Sequence, residues 1–160
     1  MQVLIGLGSN LGEDPAQTLC RAREALDRLP GTQVQRVSSL YRTRPVGYDD
    51  QPWFVNQVAE LCSGLSPHAL LGACLGIEAA FGRVRSFPNA PRVLDLDLLL
   101  AEGVQLRDPE LILPHPRMGE RGFVLVPLAE LFPDRTVYGY NFRDALARCD
   151  VTGVERLAAV

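Results

Sequence analysis

Two aspartates lie inside the most apolar stretch of the chain, the segment from Pro91 to Leu100. In an extended strand every second side chain shares a face, so the leucines at alternate positions from 94 to 100 form one face, and Asp95 and Asp97 share the other. A helix would turn at least one aspartate towards leucines, where no neighbour in sequence pairs with it. The pattern therefore predicts a strand whose two carboxylates, about 7 Å apart at Cα, point into the same space.

Arg92 precedes this acidic pair. Mg²⁺ prefers carboxylate oxygens, and a guanidinium group binds phosphate through paired hydrogen bonds. One interpretation is therefore a site for a magnesium-bound polyphosphate. The other is a strand whose polar face is solvated, which is common in antiparallel sheets. These ten residues alone leave both interpretations open.

Composition excludes several classes of protein. The 160 residues are 47% hydrophobic and 22% charged, which is enough to form one globular domain, residues 1–160, around its own core. The net charge is −3, whereas general nucleic-acid or anionic-membrane binders carry a basic excess. All 16 basic residues are arginine, so the essential lysines of P-loop proteins and protein kinases are both missing.

Cysteines, histidines and apolar runs give further expectations. The four cysteines are widely separated and the two histidines do not cluster, which predicts neither a zinc site nor a disulfide framework. The N-terminus has no signal pattern, and no apolar run approaches about 18 residues. We therefore expect a cytoplasmic protein without a membrane or nucleic-acid partner. Because no long apolar stripe is left over once helices and sheet have packed, we also expect a monomer.

Apolar periodicity and turn residues predict the order of elements that must position these side chains. Asp14-Pro15 and Ser66-Pro67 are typical of helix starts. Strands are expected at Gln2–Leu7, Val34–Tyr41, Phe54–Cys62 and the acidic segment, with a hairpin-like turn at Ala101–Gly103 and frayed final residues. This order predicts an α+β protein with a ferredoxin-like βαββαβ core, three layers α-β-α, an added β-hairpin and C-terminal helices.

Other side chains could serve a ligand, although each also has a simpler structural explanation. Phe54 and Asn56 share a strand face and could bind a flat heterocycle, or form a core ring and a local amide contact. Arg83 and Arg85 could bind phosphate or compensate a helix dipole. His115, between two prolines, could contact a ligand or lie in an ordinary surface turn.

The loop at Gly8–Gly12 follows the first predicted strand and precedes the first predicted helix. It lacks the G-x-G-x-x-G spacing of a dinucleotide-binding loop, and no acidic residue stands at the tip of a second strand. We interpret it as a turn in which glycine permits positive φ.

Taken together, these motifs resemble the hydroxymethyldihydropterin pyrophosphokinase family from Leu4 to about Phe132. The segments that carry the resemblance are Gly8-Ser9-Asn10-Leu11-Gly12, Tyr41-Arg42-Thr43 with Pro45, Gln51-Pro52 with Asn56, Glu78 with Gly82-Arg83-Val84-Arg85, Pro91-Arg92 through Asp97, Pro114-His115 and Arg121-Gly122-Phe123. The ordered set is highly specific.

The resemblance implies an enzyme of the folate pathway that transfers the β,γ-pyrophosphoryl group of its co-substrate ATP to the hydroxymethyl group of a reduced pterin. It implies that Asp95 and Asp97 hold two Mg²⁺ ions and form the catalytic group with Arg83 and Arg92. The implied pterin residues are Thr43, Val46, Phe54, Asn56 and Phe123, and the implied ATP residues are Glu78, Arg85, Arg92, Leu98, His115 and Arg121.

The chain departs from the common family pattern in one loop. Where many members carry Arg-Trp-Gly before the Pro-Arg, this chain has Phe87-Pro88-Asn89-Ala90 and is about one residue shorter. That loop would close over ATP, and we hypothesise that Arg83 and Arg85 supply most of its grip on phosphate. Arg44 also replaces a common proline.

Two other classes share part of the pattern. A different magnesium-dependent phosphotransferase or nucleotidyltransferase would use the two aspartates and the arginines, but not Phe54, Asn56 and Phe123. A non-catalytic RNA-binding module of the same fold would need central aromatics on a basic surface. The net negative charge and the paired acids oppose the RNA-binding alternative.

Overall fold

The computed structural model describes residues 1–158. An antiparallel sheet forms its centre, with helices on both faces. The elements are β1 Gln2–Ser9, α1 Pro15–Asp27, β2 Thr32–Val37, β3 Tyr41–Thr43, β4 Phe54–Ser63, α2 Pro67–Ala80, β5 Asp95–Ala101, β6 Leu106–Arg107, β7 Ile112–Leu113, a 3₁₀ turn Met118–Glu120, α3 Gly122–Leu131, β8 Thr136–Val137, β9 Tyr140–Asn141, α4 Arg143–Arg148 and β10 Val154–Arg156.

The strand order of the main sheet is β10-β3-β4-β1-β5, and β2 also pairs with β4. Every pairing in this sheet is antiparallel. Two short ribbons, β6-β7 and β8-β9, lie outside it. The predicted α+β class is therefore confirmed. Among residues 1–158, no helix combines the length and apolar character needed to cross a bilayer.

The first two helices begin where the sequence predicts. The Asp14 carboxylate accepts a hydrogen bond from the backbone N–H of Gln17 at 3.1 Å, and the Ser66 hydroxyl accepts one from Ala69 at 3.2 Å. A proline follows each cap in the first turn, where its missing N–H costs no helical bond. These local signals orient α2 so that its last turn reaches the acidic strand.

Each face of the sheet has its own apolar core. Val3 and Ile5 pack towards α1 and α2, whereas Leu4 faces α3 between them in sequence, as strand alternation requires. On the α3 face, Val58 and Leu99 are covered. The remainder of that face, over the ends of β4 and β5, is left for the cavity described below.

Strand alternation predicts Leu100 on the same face as Leu94 and Leu98, and this is wrong. Leu4 pairs with Leu100 and Ile5 with Leu98, so Leu99 is an extra residue at a bulge. The bulge turns Leu100 into the α3 core together with Leu99. Asp95 and Asp97 precede the bulge and keep the predicted face.

Three further expectations need correction. The strand predicted over Val34–Tyr41 is interrupted, because β2 ends at Val37 and β3 begins at Tyr41. The turn at Ala101–Gly103 does not form a hairpin with β5, since β6 pairs with β7. The final residues are not simply frayed: Val154–Arg156 form β10, while residues 159 and 160 lie outside the described part.

Candidate functional site

A cavity of about 320 Å³ lies over the ends of β4 and β5, and the acidic pair is part of its lining. Across the sheet Asp95 pairs with Gly8 and Asp97 with Gly6, so the neighbouring strand presents no side chain beside either carboxylate. Both aspartates are only partly exposed. The two carboxylates therefore share one face of the sheet, as strand alternation predicts.

Arginine side chains surround these carboxylates. Nη1 of Arg83 lies 2.8 Å from Oδ1 of Asp95, and Nε of Arg92 lies 3.8 Å from Oδ2 of the same residue. Nη1 of Arg121 lies 3.6 Å from Oδ2 of Asp97. Burial, followed by the nearby charge of Asp95, raises the pKa of Asp97 to about 7 despite Arg121. Two acids this close favour additional positive charge between them.

Glu78 lies at the end of α2 and is 3% exposed. Its carboxylate accepts hydrogen bonds from the N–H of Leu96 at 2.7 Å, from Arg83 at 2.7 Å and from Arg85 at 3.2 Å. Burial raises the pKa of Glu78, although these donors oppose the effect. Glu78 therefore attaches α2 to the outer edge of β5 and holds Arg83 against Asp95.

The predicted aromatic and amide residues line the same cavity. Nδ2 of Asn56 donates to the hydroxyl of Thr43 at 2.5 Å, which fixes the orientation of the amide. The guanidinium of Arg92 lies 4.8 Å from the centre of the Phe54 ring, and that of Arg121 lies 5.5 Å from the Phe123 ring. The flat apolar surfaces are thus next to the cationic ones within one cavity.

His115 is fixed by the backbone around it. Its N–H donates to the carbonyl of Leu99 at 2.7 Å, and its Nδ1 accepts from the N–H of Arg117 at 3.1 Å. Burial, and next the charge of Arg121, lower the pKa of His115. The neutral imidazole with its proton on Nε2 can therefore donate a hydrogen bond to a ligand.

The cavity brings together thirteen of the fourteen predicted site residues. They are Thr43, Val46, Phe54, Asn56, Glu78, Arg83, Arg85, Arg92, Asp95, Asp97, His115, Arg121 and Phe123. Leu98 is the exception: its side chain is buried in the core beneath α1 and α2, and it lines a neighbouring cavity of about 260 Å³ that also contains Asp97 and His115.

The lining of the main cavity is cationic, although the protein is not. Six arginines and three carboxylates face it, which gives a formal charge of +3 in a chain whose net charge is −3. Arg117 and Arg44 belong to this set, and the sequence did not indicate a site role for either. A local excess of guanidinium groups favours a polyanionic ligand.

The Asn10 side chain links the loop at 44–53 to Arg92 at the rim of the cavity. Its interpretation as a turn residue did not predict this role. Its Nδ2 donates to Oε1 of Gln51 at 2.8 Å and to the carbonyl of Pro52 at 2.9 Å, while its Oδ1 accepts from the N–H of Arg92 at 2.9 Å. The Asn10 side chain is buried. The one sequence signal was an amide directly after a glycine-containing strand.

The loop that departs from the family pattern docks on the loop at 44–53. The Tyr48 and Phe87 rings meet edge to face with centroids 5.1 Å apart. Nε2 of Gln51 donates to the carbonyl of Asn89 at 2.9 Å, and Asn89 adopts φ 61°. The loop thus lies beside the cavity and contacts its opposite rim.

A second group of potential metal ligands lies away from the cavity. His68 and Asp108 are 2.7 Å apart, and Glu110 is close to both. Two of the three side chains are exposed, and the sequence did not predict this clustering of a histidine with acids. We assign it no role.

Comparison with known proteins assigns the chain to one family. The family described as 7,8-dihydro-6-hydroxymethylpterin-pyrophosphokinase matches residues 4–133. A protein of Methylorubrum extorquens named 2-amino-4-hydroxy-6-hydroxymethyldihydropteridine pyrophosphokinase is 50% identical over 153 residues, which cover 96% of each chain. A Pseudomonas aeruginosa protein of the same name is 48% identical over 158 residues, covering 98% of this chain and 96% of that one.

Solved structures support the fold independently of close sequence similarity. The crystal structure of Plasmodium falciparum HPPK-DHPS wild type superimposes with a TM-score of 0.64 at 14% identity. The match covers 92% of this chain and 43% of that one, and at this identity it bears on the fold alone. The sequence matches also show the family. The family match over residues 4–133 and the two relatives at 50% and 48% identity show that the chain belongs to the 7,8-dihydro-6-hydroxymethylpterin-pyrophosphokinase family.

Proposed function

We propose that the chain transfers the pyrophosphoryl group of ATP to the hydroxymethyl group of 6-hydroxymethyl-7,8-dihydropterin, giving AMP and the pterin diphosphate in folate biosynthesis. One observation carries the proposal: a single cavity joins the acidic pair and its arginines to Phe54, Asn56 and Phe123. A polyphosphate and a flat heterocycle can therefore meet in it. The names of the most similar relatives support the same reaction.

Asp95 and Asp97 are the residues that would hold two Mg²⁺ ions. The donor set fits, because carboxylate oxygens suit Mg²⁺. Burial, and next the charge of Asp95, raise the pKa of Asp97, so added positive charge beside the pair would stabilise its ionised form. When bound, such ions neutralise the polyphosphate and lower the pKa of an attacking hydroxyl.

The pterin side uses stacking and one oriented amide. Phe54 and Phe123 offer apolar surfaces to the ring, and Asn56, fixed by Thr43, offers a hydrogen-bonding edge to its pyrimidine part. Val46 lies at the exposed rim. A ligand without matching donors and acceptors would leave the buried Asn56 amide unsatisfied, which gives specificity.

The ATP side uses arginines that form ion pairs with Glu78 and Asp95 in the structure. Arg83 is mostly buried between Glu78 and Asp95, whereas Arg85 is 66% exposed at its side chain and free to follow a ligand. Arg83 and Arg85 make most of the contacts between their loop and the phosphates of ATP. Arg92, Arg121, His115 and Leu98 complete the ATP contacts.

The transfer itself depends on alignment and charge. The pterin hydroxyl oxygen forms a bond to the β-phosphorus and loses its proton to solvent, as the bond between that phosphorus and the oxygen shared with the α-phosphate breaks and AMP leaves. Arg83 and Arg92 stabilise negative charge on the transferred oxygens, and the partly enclosed cavity limits water. No strong protein base is required for this type of transfer.

We also propose a ferredoxin-like core for this single pyrophosphokinase domain. Counting β2 and β3 as one interrupted strand, the antiparallel order of the sheet is that of a split βαβ arrangement, which supports the proposal. The chain acts as a cytoplasmic monomer on small molecules, without nucleic-acid or membrane partners.

The decisive experiment measures AMP release from ATP and Mg²⁺ with and without hydroxymethyldihydropterin. The wild-type protein should release AMP only with the pterin, and Asp97→Ala should lower kcat by at least about 100-fold because the metal-binding acid is lost. Asp144→Ala, an exposed acid on α4, is the matched control and should retain full activity. ADP as the product, or AMP release independent of the pterin, would refute the proposed reaction.

A further inference from the structure

The C-terminal strap, residues 149–157, lies outside the family match at 4–133 and returns to the sheet beside the pterin residues. Its strand β10 pairs with β3, with Val154 opposite Thr43. The N–H of Arg44 donates to the carbonyl of Gly153 at 2.9 Å, and that of Leu157 donates to Leu40 at 2.9 Å. The strap therefore converts β3 from an edge strand into an internal one.

β3 is only three residues long, so its position depends on both neighbours. On its other side Thr43 pairs with Phe54 of β4, and its hydroxyl accepts the hydrogen bond that orients Asn56. A displacement of β3 would therefore move Thr43 and the Asn56 amide together. Through Thr43, a change in the position of the strap would therefore alter the orientation of the Asn56 amide.

The strap also packs behind the start of α3. A Cβ added at Gly122 would lie 3.1 Å from the carbonyl oxygen of Asp150 and 3.2 Å from Cγ2 of Val154. Gly122 immediately precedes Phe123. A cavity of about 230 Å³ is lined by Asp150, Gly153 and Val154 of the strap together with Thr43 and Phe123, two residues that also line the main cavity. The strap is thus the rear wall of the pterin side.

The ATP side has no such support. Among residues 1–158, no hydrogen bond or ion pair joins the strap to Glu78, Asp95 or Asp97, or to the arginines that contact them. The nearest such bond runs from Cys149 Sγ to the carbonyl of Glu120, the residue before Arg121, and it lies at the start of the strap. A disturbance at Gly153, which is next to β3, should therefore act mainly on the pterin side.

We propose that the strap, acting through Gly153 and Arg44, is a positioning element for the pterin and sets pterin affinity independently of ATP affinity. The proposal rests on the proposed function, because it takes the Thr43, Asn56 and Phe123 side of the cavity as the pterin side. None of the strap residues touches the reacting groups.

Gly153→Ala tests the proposal by a defined contact. The new Cβ would lie 2.9 Å from Cβ of Arg44, a rigid part of that side chain, so the strap must move away from β3. Steady-state kinetics of AMP release should give a pterin KM raised about fivefold or more, with kcat and the ATP KM within about twofold of wild type. Gly64→Ala, at the far end of β4, adds a Cβ that makes only ordinary contact and should change neither KM.

A rescue variant separates this steric route from general destabilisation. Arg44→Gly removes the clashing Cβ, so the double variant Gly153→Ala/Arg44→Gly should have the pterin KM of Arg44→Gly alone. The milder Thr152→Ala removes only the hydroxyl bond of Thr152 to Asp150 in the exposed turn, and should raise the pterin KM less, in the same direction.

Two results would overturn the proposal. The first is an unchanged pterin KM in folded Gly153→Ala, and the second is an equal rise of both KM values. An inactive wild-type protein would instead refute the proposed function, and the wild-type assay distinguishes that failure from failure of the strap proposal alone.

Discussion

Gly8 lies beside the side-chain amide of Asn56, and this close approach requires that Gly8 have no side chain. A Cβ at this position would lie 2.6 Å from Oδ1 of Asn56, whose amide Thr43 holds in place. We expect Gly8→Ala to raise the pterin KM by about tenfold, because the amide must rotate or shift. Steady-state kinetics measure this effect.

The matched control for Gly8→Ala is two residues earlier on the same strand face. A Cβ at Gly6 would lie 3.6 Å from the nearest Leu99 carbon, which is ordinary van der Waals contact. Gly6→Ala should therefore leave the pterin KM within about twofold of wild type. Equal effects of the two substitutions would contradict the close-approach argument.

Asn10 connects Arg92 to the 44–53 loop, two segments that we assign to different substrates. Replacing it with alanine leaves the Arg92 N–H and the Pro52 carbonyl without their partner, which should lower the free energy of unfolding by about 1–3 kcal/mol. Because Arg92 and the 44–53 loop face different substrates, kcat/KM should fall for both. Thermal unfolding and steady-state kinetics measure these two effects.

Gln51→Ala tests the hydrogen bond between Asn10 and Gln51 separately from the other bonds of Asn10. It removes the hydrogen bond of Asn10 to Gln51 in the 44–53 loop, while the bonds of Asn10 to the Pro52 carbonyl and to Arg92 remain. Gln51→Ala should therefore change mainly kcat/KM for the pterin. A folded Asn10→Ala protein with unchanged kinetics would exclude a positioning role.

Residues whose roles depend on neighbours in sequence were predictable, and those with distant partners were not. Alternation alone places Asp95 and Asp97 on one face, and Phe54 with Asn56 on another strand. The partners of Asn10, by contrast, are 41 and 82 residues away, so no local pattern indicates them. The same applies to Gly8, whose close approach to Asn56 appears only with the register of β1 against β4.

At the scale of elements, Glu130 of α3 determines where β2 ends and β3 begins. Its carboxylate accepts hydrogen bonds from the backbone and hydroxyl of Ser39 at 3.0 Å and from the hydroxyl of Tyr41 at 2.7 Å. Burial alone would raise the pKa of Glu130, but these donors outweigh it and lower the pKa. The ionised carboxylate therefore stabilises the interruption.

The lowered pKa of Glu130 predicts a pH dependence of stability. The stabilisation is present above the unfolded-state pKa of about 4.3 and is lost as the pH falls through the lower folded-state value. Glu130→Gln should therefore unfold at a lower temperature than wild type at pH 7, by about 2–4 °C for roughly 1 kcal/mol. The difference should shrink from pH 5 to pH 3. Calorimetry measures it.

Glu24→Gln is the control for the pH prediction. Glu24 is exposed on α1, and among residues 1–158 it forms no ion pair. Its substitution should have little effect at either pH. A Glu130→Gln difference that stays constant with pH would mean that the carboxylate contributes shape and not charge.

Elements were predictable where their signals are local. Asp14 and Ser66 begin helices because each cap is satisfied within three residues. The interruption between β2 and β3 depends on Glu130, 89–91 residues further along the chain. The bulge that redirects Leu100 and the pairing of β10 with β3 likewise depend on partners that periodicity does not reveal.

At the scale of the whole molecule, charge is separated between the cavity and the rest of the surface. The lining carries +3 while the chain carries −3, so an anionic ligand is attracted to one place on an otherwise acidic protein. The residues that create this field come from α2 and β5, from the segment between them, and from the segments after β3 and β7. Binding there should restrain elements from most of the chain.

Because ligand binding draws on so many elements, it should stabilise the entire fold. At about 100 times its Kd, ATP with Mg²⁺ should add about 2.7 kcal/mol, which corresponds to roughly 5–10 °C in Tm for a chain of this size. ATP with EDTA should add much less, since the phosphates then meet Asp95 and Asp97 without intervening cations. Thermal unfolding measures both shifts.

Asp97→Ala separates metal-dependent binding from simple attraction to arginine. Removing this carboxylate takes away a proposed metal ligand, yet it leaves the cavity with one more unit of positive charge. If arginines alone bound ATP, the variant should be stabilised by ATP at least as well as wild type. If the acids bind ATP through Mg²⁺, the difference between the Mg²⁺ and EDTA conditions should disappear in Asp97→Ala and persist in the control Asp144→Ala. An equal shift with Mg²⁺ and with EDTA in the wild-type protein would contradict a metal role for the acidic strand.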